Sequence, residues 1–559
     1  MLNLQICEDN RGLILAEVFG QEFRSYVSVL KNLPTSKYNP TYRNWSFSIY
    51  DLSLLFKGLE KQGLNSVHYS DGCGELIQSY KEWCGKTRKL LTETDVQVEE
   101  VEELLKYPLM QHQRVAVKAF LELKRLLLAD QMGVGKTLPA LATAQYLRKT
   151  GTVNSCLVVC IASVKRNWVK EIEKFLKEPD YIVIEGAASE REAMYGGKEF
   201  FKIVNYEVLR NDVQDFLFDS AYDIIIVDEI HRIRTHNTKQ TKAVVRLGKK
   251  AQYRWGLTGT PIHNKLEDLY SIMKFIDEGI LGNWWKFDQR YIEHGYFGEV
   301  VGYTNTDEVK EKLGYFMLRR KKEDVLKDLP PKIYNVIHVE LSKEQRKFYE
   351  NCKKQIVEMA DEEKEEKVNQ ANVLAKTTYI REVCDSAELV DPERKVSTKM
   401  KELQEVVTEF VSEGRKVVIF TQFAKMAMII GRDLKERSII LHGGISTSGT
   451  ARQDLIDRFE KDEAIPVFIT TTAGGEGINL QFANVVIFFD LPFNPQVVAQ
   501  MEDRLHRAGQ TNSVNVIKLV AKDTIEERVC EILERKIELF ERVVEGVRGL
   551  STRELLKLL

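Results

Sequence analysis

The chain has 559 residues, 43% hydrophobic and 29% charged, and its 81 basic residues against 83 acidic ones leave a net charge of −2. That length accommodates about three or four domains of ordinary size, and the near-neutral balance requires any nucleic-acid surface to be local. No apolar run reaches the roughly 18 residues of a membrane span, and the opening MLNLQICEDNRG lacks the basic-then-apolar order of a signal peptide. The eight cysteines include no C-x-x-C pair and the nine histidines form no ligand cluster. Zinc modules and disulfide frameworks are disfavoured, and a reducing, cytoplasmic setting is expected.

Residues 1–95 hold short apolar runs broken by turn signals such as LPTSKYNP, which predicts a small α+β domain. From Phe23 to Tyr50 there is no acidic residue, but there are four basic ones (Arg24, Lys31, Lys37, Arg43) and seven aromatics. Cations for phosphate and rings for stacking suit single strands and junctions, so Lys37, Arg43 and Trp45 are candidate nucleic-acid contacts. The competing reading makes Trp45 and Phe47 core residues and leaves Lys37 and Arg43 as the exposed contacts. The acidic stretch 96–107 is expected to be a solvated helix or linker.

Residues 108–335 alternate helical patterns with β-branched runs at 157–161, 201–205, 223–228 and 253–258. Such alternation predicts an α/β lobe with a parallel sheet covered on both faces. Val164, Trp168, Ile172 and Phe175 mark one face of one covering helix. Cys156 and Cys160 are expected to be buried small hydrophobes.

Within this lobe, ADQMGVGKTL (129–138) follows an apolar run and precedes a helix-forming segment. Strand, loop and helix in that order let backbone N–H groups and a helix N-terminus face phosphates. The candidate nucleotide contacts are Asp130, Gln131, Met132, Gly133, Val134, Gly135, Lys136 and Thr137. Lys136 would hold the outer phosphates and Thr137 would ligate Mg²⁺. Asp130 stands where the motif has its first glycine, a place Asp tolerates if the backbone is left-handed there. DIIIVDEIH ends a strand on Asp228 and Glu229, suited to hold Mg²⁺ and to orient or deprotonate the attacking water respectively. The turn LTGTP (257–261) could sense the phosphate state. Gln113 is either a surface helix residue or a reader of the adenine edge.

The basic segment 316–332, closing on Pro330-Pro331, reads as a hinge. Residues 336–397 are expected to form a helical protrusion or linker, with the charged run 360–367 as a solvated face. Residues 398–559 form a second α/β lobe with strands at 417–421, 467–471 and 485–489 and a closing helix from about 524. Here TTTAGGEGINL contributes Gly475 and Gly477 as candidate nucleotide contacts. Arg504 and Arg507, three apart on one predicted helical face, are candidate arginine fingers.

DQMGVGKT, DEIH, LTGTP, AGGEGINL and DRLHRAGQ, in that order, resemble the helicase motifs of Swi/Snf ATPases in helicase superfamily two, over roughly 108–530. Asp at the position of Asp130 is common in that group. The resemblance implies two RecA-like lobes with helical protrusions, working as a monomeric motor that translocates on double-stranded DNA using ATP and Mg²⁺. Three departures stand out: Ile230 for the usual alanine, Thr472 where a basic residue is common, and Phe493 for a tryptophan.

Residues 29–59 are similar to the HARP domain of annealing helicases, which implies rewinding of unpaired DNA and remodelling of forks or junctions. The alternatives are the same motor displacing proteins from DNA, or a nucleotide-gated DNA-binding scaffold with little turnover. The expected setting is the cytoplasm and nucleoid of a bacterium or a phage host, or the nucleus of a eukaryote. Because every hydrolytic group lies in 108–530, removing residues 1–95 is expected to leave a working motor.

Overall fold

The computed structural model describes residues 1–7, 12–20, 22–70, 72–217, 220–259, 266–296, 298, 300–362, 370–444, 451–475 and 477–544. The chain divides into two compact units whose boundary falls between Arg320 and Lys321. Two short loop segments, Met132–Val134 and Ala162–Val164, group with the second unit.

The first unit holds two sheets of different kinds. The N-terminal sheet is built from β1 (Leu2–Ile6), β2 (Leu13–Val18), β3 (Lys37–Asn39), β4 (Asn44–Ser48) and β5 (Val67–Tyr69), in the order β3-β4-β2-β1-β5. Its pairings are antiparallel except for β1 with β5. Leu2, Leu4, Ile14, Ala16 and Phe47 meet Tyr26, Leu30, Leu52 and Leu55 of the covering helices in a core of its own.

The larger sheet is wholly parallel. Its strands are β6 (Arg125–Leu128), β7 (Cys156–Cys160), β8 (Tyr181–Val183), β9 (Phe201–Asn205), β10 (Ile224–Asp228) and β11 (Tyr253–Leu257). The hairpin β12 (Ile292–His294) and β13 (Val300–Tyr303) stands apart, and β14 (Met317–Leu318) completes the order β14-β6-β11-β10-β7-β9-β8. The central strands are buried on both faces, as continuous β-branched runs require. Each fully buried Ile or Val side chain contributes roughly 1.5–3 kcal/mol. Cys156 and Cys160 lie in this core as expected, and the helix Lys165–Phe175 buries Trp168, Val169 and Ile172.

The N-terminal sheet is joined to this lobe by buried polar contacts. Lys312 forms an enclosed ion pair with Asp51, whose other oxygen accepts from the Thr35 N–H at 2.9 Å. The Tyr50 hydroxyl donates to Asp277 at 3.2 Å, and Asp277 also pairs with Arg125. Lys286 donates to the carbonyls of Leu33 and Ser36. Rings of Tyr50 and Trp83 lie 5.1 and 5.6 Å from Phe316 beside a cavity of about 300 Å³. Removing residues 1–95 would therefore expose Phe316 and strand the Lys312 ammonium. The expectation of a working truncated motor gives way to one of a destabilised lobe.

The acidic stretch is not a solvated linker. Val96, Val101 and Leu105 are buried, and Glu102 accepts from Arg114 and from the Leu109 N–H at 2.9 and 2.8 Å. Glu99, Glu100 and Glu103 lie outward while every third or fourth residue is apolar, so the segment packs on the lobe.

The second unit carries β15 (Lys332–Val339), β16 (Val417–Phe420), β17 (Ser438–Leu441), β18 (Val467–Thr470), β19 (Val485–Phe488) and β20 (Val514–Ala521). The sheet is parallel throughout, in the order β15-β20-β19-β16-β18-β17. Val417 and Ile419 feed one core and Val418 and Phe420 the opposite one, following the period of two. The expected partition at residue 335 cuts through β15, whose eight residues pair with β20, so this sheet starts at Lys332. The charged run 360–367 lies largely outside the described residues.

Candidate active site

In the first unit, the chain leaves β6, β10 and β11 through polar residues. Leaving β6, the chain passes Ala129 and Asp130 and turns through Gly133 and Gly135, at φ of 79° and 83°. Only glycine takes that region without steric cost. Lys136 then caps the helix Thr137–Lys149, and its Nζ donates to the carbonyls of Asp130 and Gln131 at 2.9 and 3.3 Å. The loop thus holds its lysine across its own mouth, with Thr137 in the first helical turn.

Asp130 does not have the left-handed backbone that its place in the motif suggested. Its buried carboxylate instead meets the Arg320 guanidinium through two bonds, one of them 3.0 Å, and Arg320 also donates to the His112 carbonyl at 2.6 Å. Gln113 is buried rather than on the surface. Its Oε1 accepts from the Met110 N–H and its Nε2 donates to the Gly135 carbonyl at 3.1 Å, tying the helix Gln111–Leu123 to the loop.

Asp228 closes β10. Its carboxylate accepts from Trp168 Nε1 at 2.9 Å and from the Glu229 N–H at 3.0 Å. Burial and the neighbouring Glu229 charge push this acid up to about 6. Glu229, unlike Asp130 and Asp228, has a left-handed backbone, at φ 47°. Its carboxylate lies 3.3 Å from His231 Nδ1, which lies 3.1 Å from Thr258 Oγ1 at the end of β11. Glu229 and Thr258 thus both lie against the one His231 Nδ1, which brings the acid pair and the first threonine of LTGTP to the same imidazole edge; Thr260 and Pro261 lie outside the described residues. Tyr206 supports the pair from below, its hydroxyl donating to the Asp228 carbonyl at 2.6 Å.

In the second unit, the helix Pro495–Leu505 carries Arg504 in its last turn. The helix ends at His506, whose ψ of 82° is not helical, so Arg507 lies beyond it and the two arginines do not share a helical face. Asp503 and His506, interleaved with them, are both held. Lys322 donates to Asp503 and to the His506 carbonyl at 2.7 and 2.6 Å, and Lys332 bonds Glu502 and Asp503. Burial pulls the Lys322 ammonium down to about 8. Asp503 is held below the usual carboxylate range despite its burial, because Lys332 and Lys322 share it. Gly475 is buried beside Met501, and Gly477 stands at φ 77°.

Residues 111–389 match the SNF2-related domain family, and residues 398–509 match the helicase conserved C-terminal domain family. The chain belongs to the SNF2 branch of helicase superfamily two. This SNF2-type chain is 33% identical to an uncharacterized ATP-dependent helicase of Mycoplasma genitalium, over 77% of its own length and 42% of the relative's. It is 29% identical to a putative ATP-dependent helicase/translocase of Bacillus subtilis, over 77% of its own length and 48% of the relative's. It spans less than half of either relative. A solved SWI2/SNF2 ATPase core of Sulfolobus solfataricus, in complex with dsDNA, is 30% identical, with a TM-score of 0.39, 84% of this chain covered and 99% of that one.

Two of the departures have packing reasons. Ile230 is buried with its Cδ1 2.7 Å from where a Cβ on Gly256 would sit, so the larger residue is accommodated by glycine in β11. Phe493 stacks under the Arg381 guanidinium at 4.6 Å. Nothing in the structure explains Thr472.

In the N-terminal domain of this SNF2-type chain, β3 and β4 form an edge hairpin pairing Lys37 with Ser46 and Tyr38 with Trp45. Lys37, Tyr38, Tyr42 and Arg43 are exposed, whereas Phe47 is core and Trp45 is half-buried under Tyr38, ring centroids 5.1 Å apart. Lys37 and Arg43 each reach solvent, and Trp45 shares its face of the hairpin with Tyr38, opposite to the face of Lys37. Sequence reasoning passed over Arg320, His231, Tyr206 and Lys322. It noted Trp168 only as a core residue, although indole and tyrosine groups in a core need polar partners.

Proposed function

We propose that this chain is an ATP-driven translocase on double-stranded DNA that remodels or anneals branched or unpaired DNA. The observation that supports this best is the convergence, at the carboxyl ends of β6, β10 and β11, of the lysine-bearing loop, the Asp228–Glu229 pair and the His231 edge that Glu229 and Thr258 share.

Lys136 exchanges the carbonyls of Asp130 and Gln131 for the outer phosphates of ATP, while the backbone N–H groups of 133–137 and the helix N-terminus face the triphosphate. The Thr137 hydroxyl and the Asp228 carboxylate are hard oxygen donors that fit Mg²⁺. Bound there, the ion neutralises charge developing on the phosphates. Glu229 orients water and takes its proton, and His231 Nδ1 is the atom at which Glu229 and Thr258 compete. Gln113 would line the nucleotide, and the motif resemblance gives Gly475 and Gly477 nucleotide contacts and Arg504 and Arg507 the stabilisation of charge on the transferring phosphoryl group.

Lys37 and Arg43 would engage the phosphates of a junction, with Tyr38 and Tyr42 as stacking faces. The test compares ATP hydrolysis on single-stranded, duplex and forked DNA, together with strand annealing, for the wild type and a Lys37→Ala/Arg43→Ala variant. The expected result is lower fork affinity and annealing in the variant, with its log-affinity against log-salt slope flatter by about one per lost phosphate contact, and duplex-stimulated hydrolysis kept. Unchanged fork preference and annealing would instead favour the same motor displacing proteins from DNA. Hydrolysis indifferent to any DNA would overturn the translocase reading.

A further inference from the structure

The chain between the units is anchored at both of its ends, and the anchors are close in sequence. On the first unit, β14 pairs with β6, the Gln131 N–H donates to the Arg320 carbonyl at 3.0 Å, and the Arg320 guanidinium holds Asp130. Two residues later, on the second unit, the Lys322 ammonium is 5% exposed and bonded to Asp503 and His506. His506 Nε2 also bonds the Pro330 carbonyl at 2.7 Å, and Lys332 bonds Glu502 and Asp503. The turn bearing Arg504 and Arg507 is thus gripped from both ends of the segment 322–332. Lys321, between the two anchors, has a side chain 67% exposed.

The covalent step from residue 320 to 322 reaches at most about 7 Å. Release of Arg320 would leave the buried Asp130 carboxylate without its cation, and release of Lys322 would leave Asp503 to Lys332 alone and the His506 carbonyl without its ammonium. The chain between the Arg320 anchor and the Lys322 anchor therefore has its freedom in the torsions around Lys321.

We propose that Arg320 and Lys322 are positioning residues at the two ends of a coupling tether of fixed length. Arg320 sets the phosphate loop through Asp130, and Lys322 sets the Arg504–Arg507 turn through Asp503. This inference rests on the translocase reading. It also gives Asp130 a purpose: where the loop motif has glycine, this chain needs an acceptor for Arg320.

The test uses the full chain with three variants, measuring nucleotide affinity, KM, and kcat with and without saturating duplex DNA. Arg320→Gln should raise KM for ATP by about tenfold with a smaller loss in kcat, and Arg320→Lys should restore part of it. Lys322→Met should lower kcat by about tenfold while nucleotide affinity stays within about twofold. Two glycines inserted after Lys321 should preserve nucleotide affinity and the DNA-free rate while cutting DNA stimulation at least about fivefold.

Full DNA stimulation of the insertion variant would overturn the tether. So would Arg320→Gln and Lys322→Met showing the same KM and kcat pattern. If the insertion variant loses nucleotide affinity and so fails to fold, the split between the two point variants decides alone. A wild type that DNA does not stimulate indicts the translocase reading instead, and the same split remains measurable in DNA-free hydrolysis.

Discussion

The two parallel sheets place acids at equivalent ends of their strands and use them differently. In the second unit, Asp490 follows β19 fully buried. It accepts from the Thr421 hydroxyl and from the Gln422 backbone and side chain at 3.2 and 2.8 Å, with Arg381 at 3.7 Å. In the first unit, among the described residues, Asp228 accepts from an indole N–H and one backbone N–H, and burial with an acidic neighbour pushes it up to about 6. One carboxylate is spent as a staple between strands, and the other is kept under-compensated. The sheet supplies the position, and the count of donors decides whether the acid serves structure or chemistry.

The largest effects that could break this contrast concern turnover. Arg504→Ala and Arg507→Ala should each leave nucleotide affinity nearly intact and reduce DNA-stimulated kcat by about 10³–10⁵, the range for arginine fingers. Equal losses in affinity and kcat would remove that role from the second unit. Because Arg507 lies past the helix end, its loss should be the more sensitive of the two to substitutions at Lys322.

Glu229→Gln should keep Mg·ATP binding and lower kcat by about 10²–10⁴, the span for general bases. Asp490→Asn, by contrast, should lower the midpoint of unfolding without changing kcat per folded molecule. A Glu229 variant that turns over at the wild-type rate would show that the poised acid is not where the chemistry is.

Lys312→Met leaves Asp51 buried and unpaired and should cost about 3–5 kcal/mol, read by chemical denaturation. The joint between the N-terminal sheet and the first lobe would then rank with the Asp490 staple as a structural use of charge. A loss below about 1 kcal/mol would mean that the apolar contacts around Phe316 carry the joint without it.

The sharpest comparison is the smallest in energy. Asp228 has a folded pKa above its unfolded value of 3.8, so the folded chain holds this proton more tightly between about 4 and 6. The stability from protonation is complete below 3.8 and is lost as pH rises through about 6. Asp228→Asn should therefore stabilise the metal-free protein above pH 6, by up to about 3 kcal/mol, with the gain vanishing toward pH 4. Asp490→Asn should destabilise across that range. Thermal melts at pH 4, 6 and 8 without nucleotide or metal compare them directly.

The strands were legible because β-branched runs between turn residues have few alternatives to a buried parallel sheet, and the loop because its two glycines mark left-handed backbone. What escaped was long-range pairing. Arg320 reaches Asp130 across 190 residues, and no local pattern signals such a pair. The acidic stretch 96–107 read as solvated because its charges outweigh its spaced apolar residues in any window average. Arg507 looked helical because its i, i+3 spacing from Arg504 persists in sequence past the point where His506 ends the helix.

The joint at Tyr50 also sets a timetable for synthesis. The N-terminal sheet has its own core and can collapse as soon as it emerges, but Tyr50 must wait for Asp277, 227 residues downstream. At cellular elongation rates that interval is roughly ten to forty-five seconds. Throughout it the face carrying Tyr50, Tyr80 and Trp83 is wet and apolar, a target for chaperones or for a second nascent chain. Only when residues 277–316 have been made does the first-formed domain acquire its permanent neighbour.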